Sequence, residues 1–310
     1  MSVAKRAILV TAADLAPEAL NLLKDFEVVF TGLAPQEEDI LALMKRHDPA
    51  GIIVRYGKIT ARIIQAAPSL KVISKHGSGI DTIDVSAAQA KGIAVCAATG
   101  VNAPAVAEHA IALILACAKS IARMNLRMHA GHWDKASHKS VELAGRTLGL
   151  IGLGAIGGRV AQIAHAMGMH VISHDPYAKK IPDFVKEAGL DEIWRDSDVI
   201  SLHCPLTDDN RNLVNQGTLD RCKPGVIIVN TARGGLIDEC ALLNAVQSGH
   251  VFAAGLDSFQ QEPPPADHPF RGAENILLSP HIGGVTRDAY VNMGLAAVRN
   301  LLGHLNQRTT

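Results

Sequence analysis

The stretch Gly152-Leu153-Gly154-Ala155-Ile156-Gly157 decides how this chain is read. Before it, residues 146–151 (Arg-Thr-Leu-Gly-Leu-Ile) make a short apolar run of the kind that forms a buried strand. After it, residues 159–167 carry helical periodicity, and a second apolar run at 169–173 leads to Asp175. The order is a βαβ unit with glycines in its first turn and a carboxylate about 20 residues on. Each part has a physical task. Gly152 permits the tight turn, Gly154 lets a pyrophosphate approach the backbone, and Gly157 lets helix pack close to strand. The helix N-terminus then faces the phosphates. Glycine-rich turns alone are common. The strand, the helix and Asp175 in register are what make this one a dinucleotide site.

Working outward, the leading strand begins only at residue 146, so a separate structure is built before it. That region alternates as well. Strands are expected at 7–10, 27–30, 51–54 and 70–74, with helices at 18–24, 37–46 and 60–67 between them. Alternation of this kind implies a parallel sheet with helices on its faces. Downstream, buried strands are expected at 199–203, 226–230, 252–256 and 276–279, and helices at 239–248 and 288–306. Pro263-Pro264-Pro265 reads as a rigid loop, because another strand follows it. Two α/β domains result, and the default place for a small ligand is a cleft between them.

Composition narrows the class. With 310 residues and 48% hydrophobic content the chain can bury two cores. A net charge of +0 leaves no electrostatic footprint for nucleic acid. Cys96, Cys117, Cys204, Cys222 and Cys240 show neither CxxC pairing nor zinc spacing, so no metal is expected. Reduced thiols point to the cytoplasm. Lys5-Arg6 and the apolar run after it mimic the start of a secretion signal, but Asp14 cuts the run short and a first strand explains it better. The longest apolar helix candidate, residues 105–118, contains Glu108 and His109 and falls short of the ~20 residues a membrane span needs.

Functional residues in such sheets lie just after strands. Arg233 follows the 226–230 strand, Asp257 and then Glu262 follow the 252–256 strand, and His281 follows the 276–279 strand. One Arg, one Glu and one His thus stand at the same edge of one sheet. Arg233 offers a planar fork for a carboxylate. His281 can protonate a carbonyl oxygen and take the proton back in the reverse direction. Glu262 beside it would favour the imidazolium and fix its tautomer. With a nicotinamide cofactor the trio suits reversible reduction of a 2-oxo acid. Taken singly, each residue has an ordinary reading: a surface ion pair, a solvated Glu, a loop His. The combination beside a dinucleotide turn is the argument.

At this point the motifs resemble those of the D-isomer-specific 2-hydroxyacid dehydrogenases over nearly the whole length. The resemblance rests on Gly77-Ser78-Gly79-Ile80-Asp81-Thr82-Ile83-Asp84, Ala107-Glu108-His109, Gly131-His132-Trp133 and the glycine turn. It continues through His203-Cys204-Pro205-Leu206-Thr207, Asn230-Thr231-Ala232-Arg233-Gly234-Gly235, Asp257 with Glu262-Pro263, and Ser279-Pro280-His281-Ile282-Gly283-Gly284. It implies two doubly wound parallel-sheet domains. A central Rossmann NAD domain, residues 101–286, would be inserted in a flavodoxin-like substrate domain, residues 1–100 plus 287–310.

The resemblance also implies roles. Arg233 clamps the substrate carboxylate, Glu262 partners the histidine, and His281 is the acid/base. Ser78 and Gly79 hold the carboxylate through backbone amides, Asn102 stands near the cleft, and Arg55 and Lys75 bring cations to the substrate. NAD would be held by Gly152, Gly154, Ala155, Ile156, Gly157, Asp175, His203, Cys204, Pro205, Thr207, Thr231, Ala232, Arg233, Asp257, His281 and Gly283. Within that set, Asp257 and the carbonyl after Thr231 would orient the nicotinamide amide. A homodimer is implied, with residues 105–118 at its interface.

Within the family the chain is most similar to the phosphoglycerate dehydrogenase and hydroxypyruvate reductase branch. Its loop Arg55-Tyr56-Gly57-Lys58 is shorter than that branch's and carries Tyr56 where a phosphate would be read. The sequence stops at Thr310, so serine feedback through an added regulatory domain is not expected. Formate dehydrogenases are less similar, placing Gln where this chain has Glu262. Asp175 selects NAD, because a carboxylate accepts from a ribose 2′-hydroxyl and repels a 2′-phosphate. The expected function is NAD-dependent interconversion of a 2-oxo and a D-2-hydroxy acid, of D-3-phosphoglycerate or hydroxypyruvate/glyoxylate type. The alternative is an NAD-binding corepressor-like scaffold without significant turnover, which would not need the intact Arg, Glu and His.

Overall fold

The computed structural model describes residues 5–306. In chain order the first elements are β1 Ala7–Val10, α1 Pro17–Asn21, β2 Glu27–Phe30, α2 Glu37–His47, β3 Gly51–Val54, α3 Ala61–Gln65, β4 Val72–Lys75, α4 Val85–Ala90 and β5 Ala94–Ala97. Next come α5 Ala103–Lys119, α6 Ile121–His129, β6 Thr147–Ile151, α7 Ala155–Ala166, β7 His170–His174, β8 Val185–Glu187, α8 Leu190–Asp196, β9 Val199–Leu202 and α9 Gln216–Leu219. The chain ends through β10 Val226–Asn230, α10 Glu239–Gln247, β11 Val251–Leu256, β12 Ile276–Leu278 and α11 Arg287–Asn306.

Two compact units result. One comprises the residues up to Asn102 and those from Val285 onward; the other is Ala103–Gly284. The outer unit therefore takes Val101, Asn102, Val285 and Thr286. Its sheet is wholly parallel, in the order β2-β1-β3-β4-β5, the flavodoxin-like arrangement. The second sheet is also parallel, in the order β12-β11-β10-β9-β6-β7-β8. Its strand order reverses between β6 and β9, the switch point at which doubly wound sheets bind nucleotides.

Period-two alternation explains how each strand feeds two cores. In β1, Ile8 and Val10 enter one apolar cluster while Leu9 enters the cluster on the opposite face. In β10, Ile227 and Val229 pack on one side, Val226 and Ile228 on the other. Both faces are buried, so these strands read as unbroken apolar runs. The mimic of a secretion signal is β1, with all four residues buried. Residues 105–118 lie in α5, which is spent on the core of its own unit: Ala110, Ile114, Cys117 and Ala118 are fully buried. Exposed apolar side chains appear instead on and after α6, at Ile121, Leu126, Met128 and Trp133. Among the described residues no single helix is long and apolar enough to cross a membrane.

Candidate active site

The glycine turn sits at the C-terminal end of β6. A Cβ on Gly152, whose φ is +100°, would meet the backbone of His203 at 2.7 Å. A Cβ on Gly157 would meet the Gly152 carbonyl oxygen at 2.1 Å. Both positions therefore require glycine for close approach within the fold. Gly154 differs: a Cβ there meets nothing within 4 Å. It caps α7, and the helix N-terminus is exposed at Gly154 and Ala155, with Ile156 half-buried and Gly157 buried behind them.

Asp175, just past β7, accepts from the Leu153 amide at 2.7 Å and the Tyr177 amide at 2.9 Å. Each carboxylate oxygen can take a second donor. Thr231 Oγ1 is buried without a hydrogen-bond partner, and Asn230 shapes its turn by bonding the Ala232 amide and the Arg233 carbonyl. A dinucleotide fits this donor and acceptor set. The backbone amides of the turn would receive the pyrophosphate and Asp175 a ribose.

The other cofactor residues named from sequence flank the same edge. His203 is held neutral by burial, its pKa lowered to about 4, with Nε2 2.9 Å from Ser201 Oγ. Burial pushes the Cys204 thiol up to about 11, which makes it inert at neutral pH. The loop after it is laced by Asn210, which accepts from the Thr207 amide at 2.7 Å and donates to the Pro205 carbonyl at 2.7 Å. Sequence reasoning missed Asn210 and Asn230. The habit of asparagine to bond backbone groups a few residues away was the available signal.

Three strand ends carry the chemistry. His281 Nδ1 lies 2.7 Å from Glu262 Oε2, and Glu262 Oε1 accepts from the Phe259 amide at 3.0 Å. The hydrogen bond to Glu262 raises the His281 pKa; burial opposes it, while the charges of Glu262 and Asp257 add to it and Arg233 subtracts. For Glu262, burial alone would push the carboxyl up. The His281 bond, the Phe259 amide and the charges of His281 and Arg233 outweigh it and hold the carboxyl below its usual range. Arg233 thus acts electrostatically on both partners, and its Nη1 also donates to the Ala232 carbonyl at 2.8 Å.

With Nδ1 engaged, Nε2 is the imidazole atom that can exchange a proton with a ligand. Asp257 is engaged by the loop that carries His281. Its carboxylate is 1% exposed and accepts from Ser279 Oγ and from the Ile282 and Gly283 amides. A buried carboxylate takes the nearest donors, and here these belong to the loop that carries His281.

The outer unit holds the remaining candidates at or after the ends of β3, β4 and β5. Ser78 Oγ donates to Asn102 Oδ1 at 3.1 Å. Lys75 Nζ reaches the Arg55 carbonyl at 3.3 Å and Thr82 Oγ1 at 3.4 Å. Arg55 is already engaged: its guanidinium bonds Asp14 Oδ1 at 2.5 Å and stands over the rings of Tyr56 and Tyr290. Tyr290 in turn donates to the same Asp14 oxygen at 3.1 Å. Arg55 is therefore half of an ion pair.

Residues 111–283 match the model of the D-isomer specific 2-hydroxyacid dehydrogenase, NAD binding domain. A hydroxypyruvate reductase of Thermotoga maritima is 42% identical over 94% of this chain and 96% of its own length. The chain belongs to the D-isomer specific 2-hydroxyacid dehydrogenases. A D-3-phosphoglycerate dehydrogenase of Archaeoglobus fulgidus is 38% identical over 94% of this chain but only 56% of its own length, so this dehydrogenase spans about half of that relative. The crystal structure of TT0316 protein from Thermus thermophilus superposes with a TM-score of 0.90 at 36% identity, covering 96% of both chains. The dehydrogenase is an NAD-using oxidoreductase acting on the CH–OH group of 2-hydroxy acids.

Proposed function

We propose that the chain reduces a small unphosphorylated 2-oxo acid of the hydroxypyruvate or glyoxylate type, with NADH as reductant. The observation that carries this reading is the 2.7 Å contact between His281 Nδ1 and Glu262 Oε2 within the electrostatic reach of Arg233. When bound, the nicotinamide supplies a hydride to the carbonyl carbon. Arg233 pairs with the substrate carboxylate through its fork. His281, held as imidazolium by Glu262, donates the Nε2 proton to the carbonyl oxygen as the hydroxyl forms. In the reverse direction neutral His281 takes that proton back. From the other unit we assign the Ser78 and Gly79 amides to the carboxylate, and Arg55, Lys75 and Asn102 to the rest of the substrate.

Preference for an uncharged distal end is supported by the pairing of Arg55 with Asp14, which offsets the charge a phosphate would need. The near full-length similarity to a hydroxypyruvate reductase points the same way. We assign a homodimer, with the exposed Ile121, Leu126 and Met128 of α6 and Trp133 after it as contact surface. A cytoplasmic location suits five unpaired cysteines. The test is a panel of 2-oxo acids with NADH, reported as kcat/KM. Turnover of hydroxypyruvate or glyoxylate well above phosphohydroxypyruvate is expected. No turnover with any member would favour the NAD-binding scaffold.

A further inference from the structure

Ser279 Oγ stands between two partners: Asp257 Oδ1 at 2.6 Å and His109 Nε2 at 2.9 Å. A hydroxyl has one proton to give. The buried Asp257 carboxylate only accepts, so the Ser279 proton points to it. Ser279 must then accept from His109, which fixes the His109 proton on Nε2. That nitrogen also lies 3.4 Å from Asp257 Oδ1. The Ile282 and Gly283 amides reach the same carboxylate at 2.9 and 2.7 Å. Bonds to Asp257 therefore grip the loop on both sides of His281, from Ser279 before it and from Ile282 and Gly283 after it.

The grip has a load to bear. His281 has φ +54°, the left-handed region that a residue with a side chain leaves unless its surroundings hold it. That backbone geometry aims the imidazole at Glu262. Packing leaves little slack, since a Cβ on Gly283 would meet Asp257 Oδ2 at 2.9 Å and the His109 ring at 3.4 Å. His109 is on α5, so the loop is tied through Ser279 and Asp257 to a helix that buries ten of its 17 residues.

We propose that His109 is a positioning residue for the acid/base histidine, acting as a hydrogen-bond donor through Ser279 and Asp257. This rests on the reading of His281 as the proton donor. Without the donor, the loop relaxes, the His281 to Glu262 contact lengthens, and the His281 pKa falls toward its ordinary value. The charged groups that face His281 are Glu262, Asp257 and Arg233, and only the first two sustain the imidazolium. Reduction needs the imidazolium, so the descending limb of its pH profile must move to lower pH.

The experiment compares His109→Phe, His109→Gln and Ser279→Ala in the full chain. The readouts are kcat for 2-oxo acid reduction across pH, NADH affinity by fluorescence, and thermal melting. His109→Phe is expected to lower kcat by roughly tenfold and shift the limb by about half a pH unit or more, within the range one acid/base group commands. NADH affinity should stay within about threefold, since the donor acts on the loop rather than on the nucleotide turn. His109→Gln keeps an N–H near the same place and should restore both kcat and profile, while Ser279→Ala should reproduce the Phe variant. A folded His109→Phe protein with wild-type kcat and profile overturns the proposal. So does a Gln variant as impaired as the Phe variant, because ring packing would then be the cause. Should the Phe variant not fold, an unchanged Ser279→Ala profile overturns it. His281→Asn run in parallel separates the two readings: if it keeps its activity, the acid/base assignment fails first.

Discussion

Glu262 Oε2 accepts the Nδ1 proton of His281 at 2.7 Å, although the two residues come from different strand ends and are joined through the 263–265 proline loop. The contact raises one pKa and lowers the other, as an ion pair should. The sign of its effect on catalysis follows. In reduction the active form of His281 is protonated, and activity falls as pH rises through its pKa. Glu262→Gln removes the charge that raises that pKa. The descending limb should therefore move to lower pH, and kcat near neutrality should fall by roughly ten- to a hundredfold. In the oxidative direction the ascending limb should move the same way. A kcat–pH series for both directions checks this, and superimposable profiles would disconnect the two side chains.

Replacing Arg233 with Lys keeps the charge but loses the planar fork. KM for the 2-oxo acid should rise by about tenfold or more, and kcat should fall as the substrate loses its fixed orientation. NADH affinity, read by fluorescence, should change little. Equal steady-state kinetics in the two proteins would remove Arg233 from the substrate.

The outer-unit ion pair gives a separate expectation. Asp14 is exposed and bonds Arg55, so any phosphate near Arg55 meets a carboxylate as well. Asp14→Asn keeps an acceptor for Tyr290 and removes the charge. A unit charge at ~4 Å in water-like surroundings is worth about 1 kcal/mol, or about fivefold. The ratio of kcat/KM for phosphohydroxypyruvate over hydroxypyruvate should rise by about that factor. An unchanged ratio would place the distal end of the substrate elsewhere.

What sequence makes legible follows from what each element buries. Strands with both faces covered, such as β1, β3, β9 and β10, are buried throughout and apolar but for Ser201 and Asn230, and can be read within a residue of their bounds. The helix α6 is missed although Ile121, Met124 and Met128 recur at helical spacing, because the stripe is short and none of it is buried. The edge strand β8 buries only Val185 of Val-Lys-Glu, and β5 is half-buried along its length. Helix α7 begins at Ala155, a turn earlier than its periodicity, because Gly157 and Gly158 dilute the apolar stripe. The site divides the same way. Arg233, Glu262 and His281 are visible as polar residues after buried strands. The Asp257, Ser279 and His109 network is not, because its members lie far apart in sequence and meet only when β11, β12 and α5 pack. Arg55 reads as a cation offered to substrate, and its partner Asp14 cannot be foreseen, since 41 residues separate them.

The choice of cofactor turns on one carboxylate. Asp175 Oδ2 already accepts the Leu153 amide, which anchors it against the glycine turn, and Oδ1 accepts the Tyr177 amide. So fixed, it stands where the second strand of the βαβ unit ends, the position that meets the adenosine ribose. It favours a 2′-hydroxyl as donor and repels a 2′-phosphate. Wild type should use NADH in preference to NADPH. Asp175→Ala removes both effects, and it also frees the Leu153 amide. Binding of NADH should weaken while NADPH improves, narrowing or reversing the ratio of kcat/KM. Lys179 and Lys180, four and five residues on, can pair with the phosphate once the carboxylate is gone, so Asp175→Ala with both lysines replaced should show a smaller gain for NADPH. The measurement is kcat/KM for each cofactor in the three proteins at one ionic strength. A wild-type protein that favours NADPH would overturn the role given to Asp175.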